Sequence, residues 1–167
     1  MSAEYESVAL SDRHDVASFD CGVWSLNAWL AEQALRAQQA GTARTFVWVT
    51  AAEPEKVWAY FSLAPTEVAR NLLSRGQSSG YTTVPGYLLA RLAVHADLHR
   101  LGHGGQLLVD ALSRAARAAE AGGGRLVVVD ALDDTAASFY RHYDFMPVKG
   151  NPRRLVLKMT NIRNLLG

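Results

Sequence analysis

The stretch that decides the fold is His99-Arg-Leu-Gly-His-Gly-Gly-Gln-Leu-Leu108, which lies between a strand-like run ending at Val94 and a strongly patterned helix. Glycines at such a junction let the backbone turn its N–H groups inward and approach a ligand closely. The helix that follows adds the partial positive charge of its N-terminus, so the segment suits a pyrophosphate group. A glycine-rich turn with no ligand is the alternative interpretation.

Two common phosphate-binding loops do not fit this stretch. A Walker A loop requires Gly-Lys and then Ser or Thr after four variable residues, and no lysine is present here. The dinucleotide fingerprint requires a third glycine where this chain has Leu107, and seven residues separate Val94 from Gly102. Asp130 imitates the ribose-binding acid of that fold, but the spacing makes a dinucleotide site a weak interpretation.

The sequence before this stretch predicts a long helix, two or three antiparallel strands and a short second helix. The helix is expected to extend from the residues after Gly22 to about Gln39, with Asp20 or Ser25 as its N-cap and Gly41 as its end. Residues expected on one helix face are Leu26, Trp29, Leu30, Gln33 and Ala37. Strands are expected at Thr45–Thr50, Val57–Leu63 and Tyr87–Val94, with a short helix at Thr66–Leu73 and a mobile loop before the third strand.

The sequence after this stretch predicts a helix, a buried strand, a second helix and a last strand. The apolar face of the first helix is Leu107, Leu108, Ala111, Leu112, Ala115 and Ala119. The run at Arg125–Leu132 is almost continuously β-branched, which is typical of a buried parallel strand. A helix at Asp134–Tyr143 and a strand at Arg154–Met159 complete an α/β chain with a mixed sheet.

Length and composition restrict the class of protein. The 167 residues are the size of one domain, so we expect residues 1–167 to form a single domain. No uncharged apolar run approaches the roughly 20 residues of a membrane span, and the polar N-terminus has no secretory pattern, so we expect a cytoplasmic protein. The lone Cys21 excludes an intramolecular disulfide and a cysteine metal cluster.

The net charge of +1 lacks the strong basic excess that a nucleic-acid binder often shows. Any binding surface for RNA phosphates would therefore need local clusters of arginine. The candidates are Arg36, Arg44, Arg70, Arg75, Arg91, Arg153 and Arg154, each of which is also compatible with an ordinary solvated surface.

Two segments carry a family resemblance. Residues 99–104, His-Arg-Leu-Gly-His-Gly, match the Arg/Gln-x-x-Gly-x-Gly/Ala motif of the GNAT acetyltransferases, with histidine in place of the leading residue. Residues 136–145, Ala-Ala-Ser-Phe-Tyr-Arg-His-Tyr-Asp-Phe, follow the family pattern A-x-x-F-Y-x-x-x-G-F, with Asp144 in place of glycine. Asp tolerates left-handed backbone better than most residues, so the turn is compatible with it. The resemblance implies a mixed, mostly antiparallel twisted sheet flanked by helices, with acetyl-CoA in a cleft between central strands.

The resemblance also implies the site. Tyr140 stands at the family position of the proton donor for the departing CoA thiolate, and a phenol with a pKa near 10 remains protonated at neutral pH. The implied cofactor-binding residues are Leu92, Ala93, Val94, His99, Arg100, Gly102, His103, Gly104, Gly105, Gln106 and Ser138. No metal is implied. A packed aromatic is the alternative for Tyr140, and packing is also the interpretation of Cys21, Trp24 and Trp29.

The N-terminal half resembles one branch of this superfamily. Phe19-Asp-Cys-Gly-Val-Trp-Ser-Leu-Asn-Ala-Trp-Leu30, Gly41-Thr-Ala-Arg-Thr-Phe46 and Tyr60-Phe-Ser-Leu-Ala64 are similar to segments of TacT- and AtaT-like toxins. Such toxins acetylate the α-amine of aminoacyl-tRNA, are neutralised by a ribbon-helix-helix antitoxin and commonly form homodimers. Arg44 and Arg91 lie within or beside these segments and are therefore the implied substrate-binding residues.

Two other functions remain compatible with the same residues. An N-acetyltransferase of a small amine, peptide or protein N-terminus would use the same catalytic core, and the near-neutral charge favours it. A catalytically silent CoA-binding or protein-interaction module is the third hypothesis, which His99 and Asp144 leave open.

Overall fold

The computed structural model describes residues 4–167 and contains a seven-stranded sheet flanked by helices. The strands are β1 (Glu6–Ala9), β2 (Arg44–Val49), β3 (Ala59–Ala69), β4 (Thr83–Val94), β5 (Leu126–Asp130), β6 (Met146–Val148) and β7 (Asn151–Lys158). The helices are α1 (Trp24–Glu32), α2 (Ala34–Ala40), α3 (Arg75–Ser78), α4 (His103–Gly122), α5 (Asp134–His142) and α6 (Met159–Leu166). The strand order is β1-β2-β3-β4-β5-β7-β6.

The sheet is mixed and mostly antiparallel, as the sequence predicts. Antiparallel pairing joins β1 to β2, β2 to β3, β5 to β7 and β6 to β7, whereas β4 and β5 are parallel. The chain divides into two compact units, one containing residues 4–64 with Arg91–Ala111 and the other Pro65–Ala90 with Leu112–Gly167. The expectation of a single domain stays a prediction.

The first unit packs α1 and α2 against β2 and β3. Its core includes Leu30, Val47 and Tyr60, all at most 1% exposed. The predicted single helix is wrong, because the chain breaks at Gln33 (φ −119°) into α1 and α2. After the break, the side-chain amide of Gln38 donates to the Leu10 carbonyl at 2.7 Å and accepts from the Thr45 N–H at 3.0 Å.

The predicted N-cap of this helix is also wrong, whereas its predicted end is confirmed. Val23 is the N-cap of α1 and provides no side-chain hydrogen bond. The carboxylate of Asp20 instead accepts from the Gly22 N–H at 2.8 Å and the Asn27 amide at 3.1 Å. Gly41 ends α2 in the left-handed conformation, at φ 77°.

The second unit is organised by the parallel pairing of β4 with β5. The register runs from Gly86↔Leu126 to Leu89↔Val129, and the four residues Leu126–Val129 are fully buried. The prediction of a buried parallel strand is therefore confirmed, with shorter bounds than expected. The core around this pair is Val68, Leu73, Val84, Leu126, Val128, Val148 and Val156.

The predicted helix at Thr66–Leu73 is wrong. Strand β3 continues through Pro65 to Ala69, because this segment alternates in exposure and places Val68 in the core. A single 3₁₀ turn at Arg70–Leu72 follows. The Gly/Ser-rich segment, for which the sequence predicts a loop, contains α3, which begins with a reciprocal capping box between Ser74 and Gln77.

Besides α3, three elements of the described residues lie outside the prediction from sequence: β1, β6 and α6. Strand β1 has only four residues and pairs with β2 from Glu6↔Val49 to Ala9↔Phe46. The prediction of the long helix α4 is confirmed, since all six residues of its expected apolar face are buried. Within residues 4–167, no helix is long and apolar enough to cross a membrane.

Gly86 gives a direct test of the β4–β5 pairing. A Cβ at Gly86 would clash with the carbonyl oxygen of Leu126 and lie 3.1 Å from its carbonyl carbon, so one of two hydrogen-bonded strands would have to move. We expect Gly86→Ala to lower the free energy of unfolding by about 3 kcal/mol, measured by urea denaturation. Gly76→Ala is the control, because a Cβ there meets only the flexible Lys158 ammonium at 3.6 Å and the Ser74 hydroxyl at 4.0 Å. Equal stability of the two variants would contradict the register of this strand pair.

Candidate active site

The glycine loop joins the end of β4 to the first turn of α4. Arg100 and Gly102 have left-handed backbone, at φ 65° and 83°. A Cβ at Gly102 would have no described atom within 4 Å, so the loop is open on that side. Left-handed residues in a turn can direct backbone N–H groups into a concave surface. The N-terminus of a 20-residue helix adjoins this loop. The loop therefore has the geometry of an anion-binding site.

His99, the departure from the family motif, closes the loop on itself. Its Nε2 lies 2.8 Å from the carbonyl oxygen of Val94, the last residue of β4. Because a carbonyl only accepts, Nε2 carries the proton in this contact. Gly22 lies against the same ring, since a Cβ there would stand 3.9 Å from its Cε1.

The segment Phe19–Gly22 supports the same loop. The carbonyl of Asp20 accepts from the N–H of Ala96 at 2.8 Å, immediately after β4. Hydrogen bonds from Gly22 and Asn27 lower the pKa of the Asp20 carboxyl, so it is an anion at neutral pH. The resembled segment thus has a clear structural role at the end of β4.

The first turn of α4 contains four of the predicted cofactor-binding residues: His103, Gly104, Gly105 and Gln106. The ring of His103 turns to an aromatic pair and meets Tyr5 at 5.5 Å and Trp48 at 6.4 Å between centroids. Only the backbone of His103 is therefore available to contribute to the cradle. Three further predicted residues of this unit, Leu92, Ala93 and Val94, end β4, and Ala93 belongs to the core.

Tyr140 lies on α5 in the second unit and is 8% exposed. Its ring packs edge-on against Phe139 and Phe145, with centroids 5.2 and 5.5 Å away. Burial raises the pKa of the Tyr140 phenol to about 12, so the proton-bearing form dominates throughout the physiological range. Tyr140 therefore packs against its aromatic neighbours and also keeps the proton on its phenol.

Two local features fix α5. Asp133 is its N-cap, accepting from the Ala136 N–H at 2.8 Å, and Asp144 adopts φ 71° just after its end. The left-handed turn expected at Asp144 is thus confirmed. Ser138, the remaining predicted cofactor residue, is exposed and accepts from the Arg141 guanidinium at 3.1 Å.

Arg91, a predicted substrate-binding residue, stacks on an aromatic group. Its guanidinium lies 4.0 Å from the Trp29 ring centroid, and burial lowers its pKa from the ordinary value. Trp29 stacks on Tyr60, whose hydroxyl donates to the Leu26 carbonyl at 2.7 Å. Arg91 therefore holds α1 against β3 and β4 in addition to any contact with substrate.

The other arginine candidates have diverse surroundings. Arg44 is exposed at the start of β2, while Arg153 and Arg154 pair with Asp134 and Asp130 at 3.4 and 3.6 Å. Ion pairs of this kind partly neutralise the positive charge available to RNA. The seven candidates divide between the two units: the first contains Arg36, Arg44 and Arg91, and the second contains Arg70, Arg75, Arg153 and Arg154.

Sequence reasoning missed two features of the first unit. A cavity of about 580 Å³ is lined by three carboxylates (Asp15, Glu53 and Glu55) together with Lys56 and His95, a composition that disfavours a phosphate. Trp24 is 81% exposed, so the interpretation of this residue as packing is wrong. Neither feature has a sequence signal, because the cavity residues are dispersed and tryptophan usually packs.

The fold and the two motif segments define a GNAT-type N-acetyltransferase. The sequence is 36% identical over 159 residues to a tRNA-acetylating toxin of Mycobacterium tuberculosis, covering 95% of this chain and 94% of the relative. The chain belongs to this family of tRNA-acetylating toxins, which includes the TacT- and AtaT-like proteins that its N-terminal half resembles. It matches no protein-family model.

Solved structures agree with this assignment. AtaT complexed with acetyl-methionyl-tRNAfMet superposes with a TM-score of 0.89 at 26% identity, covering 98% of this chain and all of the AtaT chain. A phenylalanine mutant of AtaT, bound to the C-terminus of the antitoxin AtaR and acetyl-CoA, gives a TM-score of 0.83 at 25% identity, with 97% and 98% coverage. The predicted fold class is confirmed.

Cys21 tests whether a thiol takes part in catalysis. The residue is 4% exposed, and burial raises the pKa of its thiol, so little thiolate forms at neutral pH. We expect native protein to resist a thiol reagent such as dithionitrobenzoate, and unfolded protein to react at once. Cys21→Ala should retain acetyl transfer within about twofold. A loss of activity without a loss of fold would show that the Cys21 thiol takes part in catalysis.

Proposed function

We propose that this protein transfers the acetyl group of acetyl-CoA to the α-amine of an aminoacyl-tRNA and thereby blocks translation. The observation that carries the proposal is the buried, neutral phenol of Tyr140 in a chain of the tRNA-acetylating toxin family. A relative with this name and the AtaT complex with acetylated tRNA support the acceptor.

The glycine loop is the proposed site for the pyrophosphate of acetyl-CoA. The N–H groups of residues 102–106 and the N-terminus of α4 supply donors and partial positive charge without a lysine. The backbone of Leu92, Ala93 and Val94 is proposed to bind the pantetheine arm. His99, Arg100 and Ser138 are proposed as further contacts of the cofactor, as the family resemblance implies. Binding of acetyl-CoA by the AtaT neighbour supports this assignment.

The reaction needs a proton donor and no dedicated base. The neutral α-amine attacks the thioester carbonyl carbon, the C–S bond breaks, and the departing sulfur takes the Tyr140 proton. The new amide nitrogen releases its extra proton to solvent, and the phenolate recovers a proton from solvent. An aminoacyl α-amine has a pKa of about 8, so a useful fraction is neutral at physiological pH.

Partners and location follow from the same proposal. We propose Arg44 and Arg91 as contacts to the acceptor, a ribbon-helix-helix antitoxin as the neutralising partner, a homodimer as the oligomeric state and the cytoplasm as the location. The neighbour bound to the antitoxin AtaR supports the second of these. Residues 1–167 are proposed to act as one acetyltransferase domain.

Replacing Tyr140 tests both the substrate class and the proton donor. We expect Tyr140→Phe to lower kcat for acetylation of aminoacyl-tRNA by about 10²- to 10⁴-fold while the Kd for CoA stays within about twofold, since the ring still packs. Transfer of labelled acetyl to a pool of charged tRNA provides the rate, and calorimetry provides the Kd.

Tyr143→Phe is the matched control, because Tyr143 caps the same helix and also packs on Phe139. It should leave kcat unchanged within about twofold. Label on small amines but not on tRNA would replace the toxin with a metabolic N-acetyltransferase. CoA binding without turnover on any amine would indicate a silent binding module.

The pH dependence of kcat tests the raised pKa of Tyr140. The reactive form has a neutral amine and a protonated phenol, so kcat should rise about tenfold per pH unit below the amine pKa of about 8 and then reach a plateau. Because the folded-state pKa of the phenol is about 12, the plateau should persist beyond the pKa of about 10 of an ordinary tyrosine. A decline centred on that ordinary value, with the fold intact by circular dichroism, would show that the phenol titrates as an exposed tyrosine does.

A further inference from the structure

A carboxylate on α4 connects this helix to the two strands at one edge of the sheet. The Asp110 carboxylate accepts from the indole N–H of Trp48 on β2 at 2.9 Å. Its second oxygen accepts from the hydroxyl of Ser7 on β1 at 3.1 Å. Three elements distant in sequence therefore meet at one side chain, to which neither the motifs nor the family resemblance assigns a role.

The same face of α4 also includes the first residue after the glycine loop. His103, Gln106 and Asp110 follow an i, i+3, i+7 spacing, so they share one helix face. All three line a cavity of about 480 Å³ together with Tyr5 and Trp48. Tyr5 stacks on Trp48 at 5.3 Å, and His103 packs edge-on against both rings. The first two turns of α4 are thus held at both ends, by the ring contacts of His103 and by the hydrogen bonds of Asp110.

We propose that Asp110 is a positioning residue for the glycine loop. By bonding Trp48 and Ser7, its carboxylate fixes the rotation and height of α4 against β1 and β2. The helix is continuous from His103 to Asp110, so this contact sets the direction of the N–H groups at residues 103–106. The inference rests on the proposed use of those groups to bind the acetyl-CoA pyrophosphate.

A positioning role makes a specific kinetic prediction. Asp110→Ala leaves the reacting groups in place but frees the first turns of α4, so the loss should appear in cofactor binding. We expect the Kd for CoA and the KM for acetyl-CoA to rise about tenfold, equivalent to about 1.4 kcal/mol, while kcat at saturation stays within about twofold. Isothermal calorimetry with CoA and full-length protein measures the first value without any acceptor.

Companion variants separate this role from a loss of fold. Trp48→Phe keeps an aromatic ring beside Tyr5 and deletes the indole N–H, so it should raise the Kd in the same direction. Asp110→Asn should rescue binding to within about threefold, because its oxygen still accepts from the indole while the Ser7 hydroxyl turns to accept from the amide. In the double variant, Trp48→Phe should add little to Asp110→Ala, since Asp110→Ala already removes the hydrogen bond to the Trp48 indole.

Glu120→Ala is the matched control, because it removes an exposed carboxylate from the same helix, almost three turns further on. Its Kd for CoA should match that of wild type. The proposal is overturned if folded Asp110→Ala or Trp48→Phe binds CoA as wild type does and differs only in melting temperature. If Asp110→Ala does not fold, the Kd of Trp48→Phe for CoA decides between the positioning role and a purely structural one. Wild type that binds CoA without acetylating tRNA would refute the proposed acceptor and leave this comparison valid.

Discussion

The parallel pairing of β4 with β5 is the constraint on which the candidate site depends. Antiparallel strands can be joined by a tight turn, but parallel strands require a long crossover, which here is the segment from His95 to Arg125. The crossover begins at the carboxyl end of β4 and enters α4 at its N-terminus. Backbone N–H donors and the positive end of a helix dipole therefore meet at the same loop. Left-handed backbone at Gly102 completes the turn within the few residues available.

A second constraint is the removal of one phenol from water. Desolvation disfavours the charged form of Tyr140, which makes the residue a weaker acid but keeps its proton in place at the pH where an α-amine becomes neutral. The aromatic neighbours Phe139 and Phe145 provide part of this desolvation, so the packing and catalytic interpretations of Tyr140 are compatible.

Sequence periodicity is a reliable guide where an element is long and its burial is well defined. It identifies α4 and the buried strand β5, and the motif at residues 136–145 locates the left-handed turn at Asp144. It fails where tertiary contacts override local preference, as at Thr66–Leu73, where burial of Val68 favours strand over helix. The Asp110 cluster has no sequence signal, because its partners lie 62 and 103 residues away and the four-residue strand β1 is too short to predict.

The N-terminal segment shared with the toxin branch acts largely through the backbone. Asp20 accepts the N–H of Ala96, and Gly22 leaves room for the ring of His99, so both residues support the start of the crossover. Arg91 stacks on Trp29 and holds α1 in the same unit. A resemblance in these positions therefore reflects how the loop is held as much as which acceptor is bound. The side chains that this scaffold leaves exposed include the indole of Trp24 at the start of α1, which is 81% exposed.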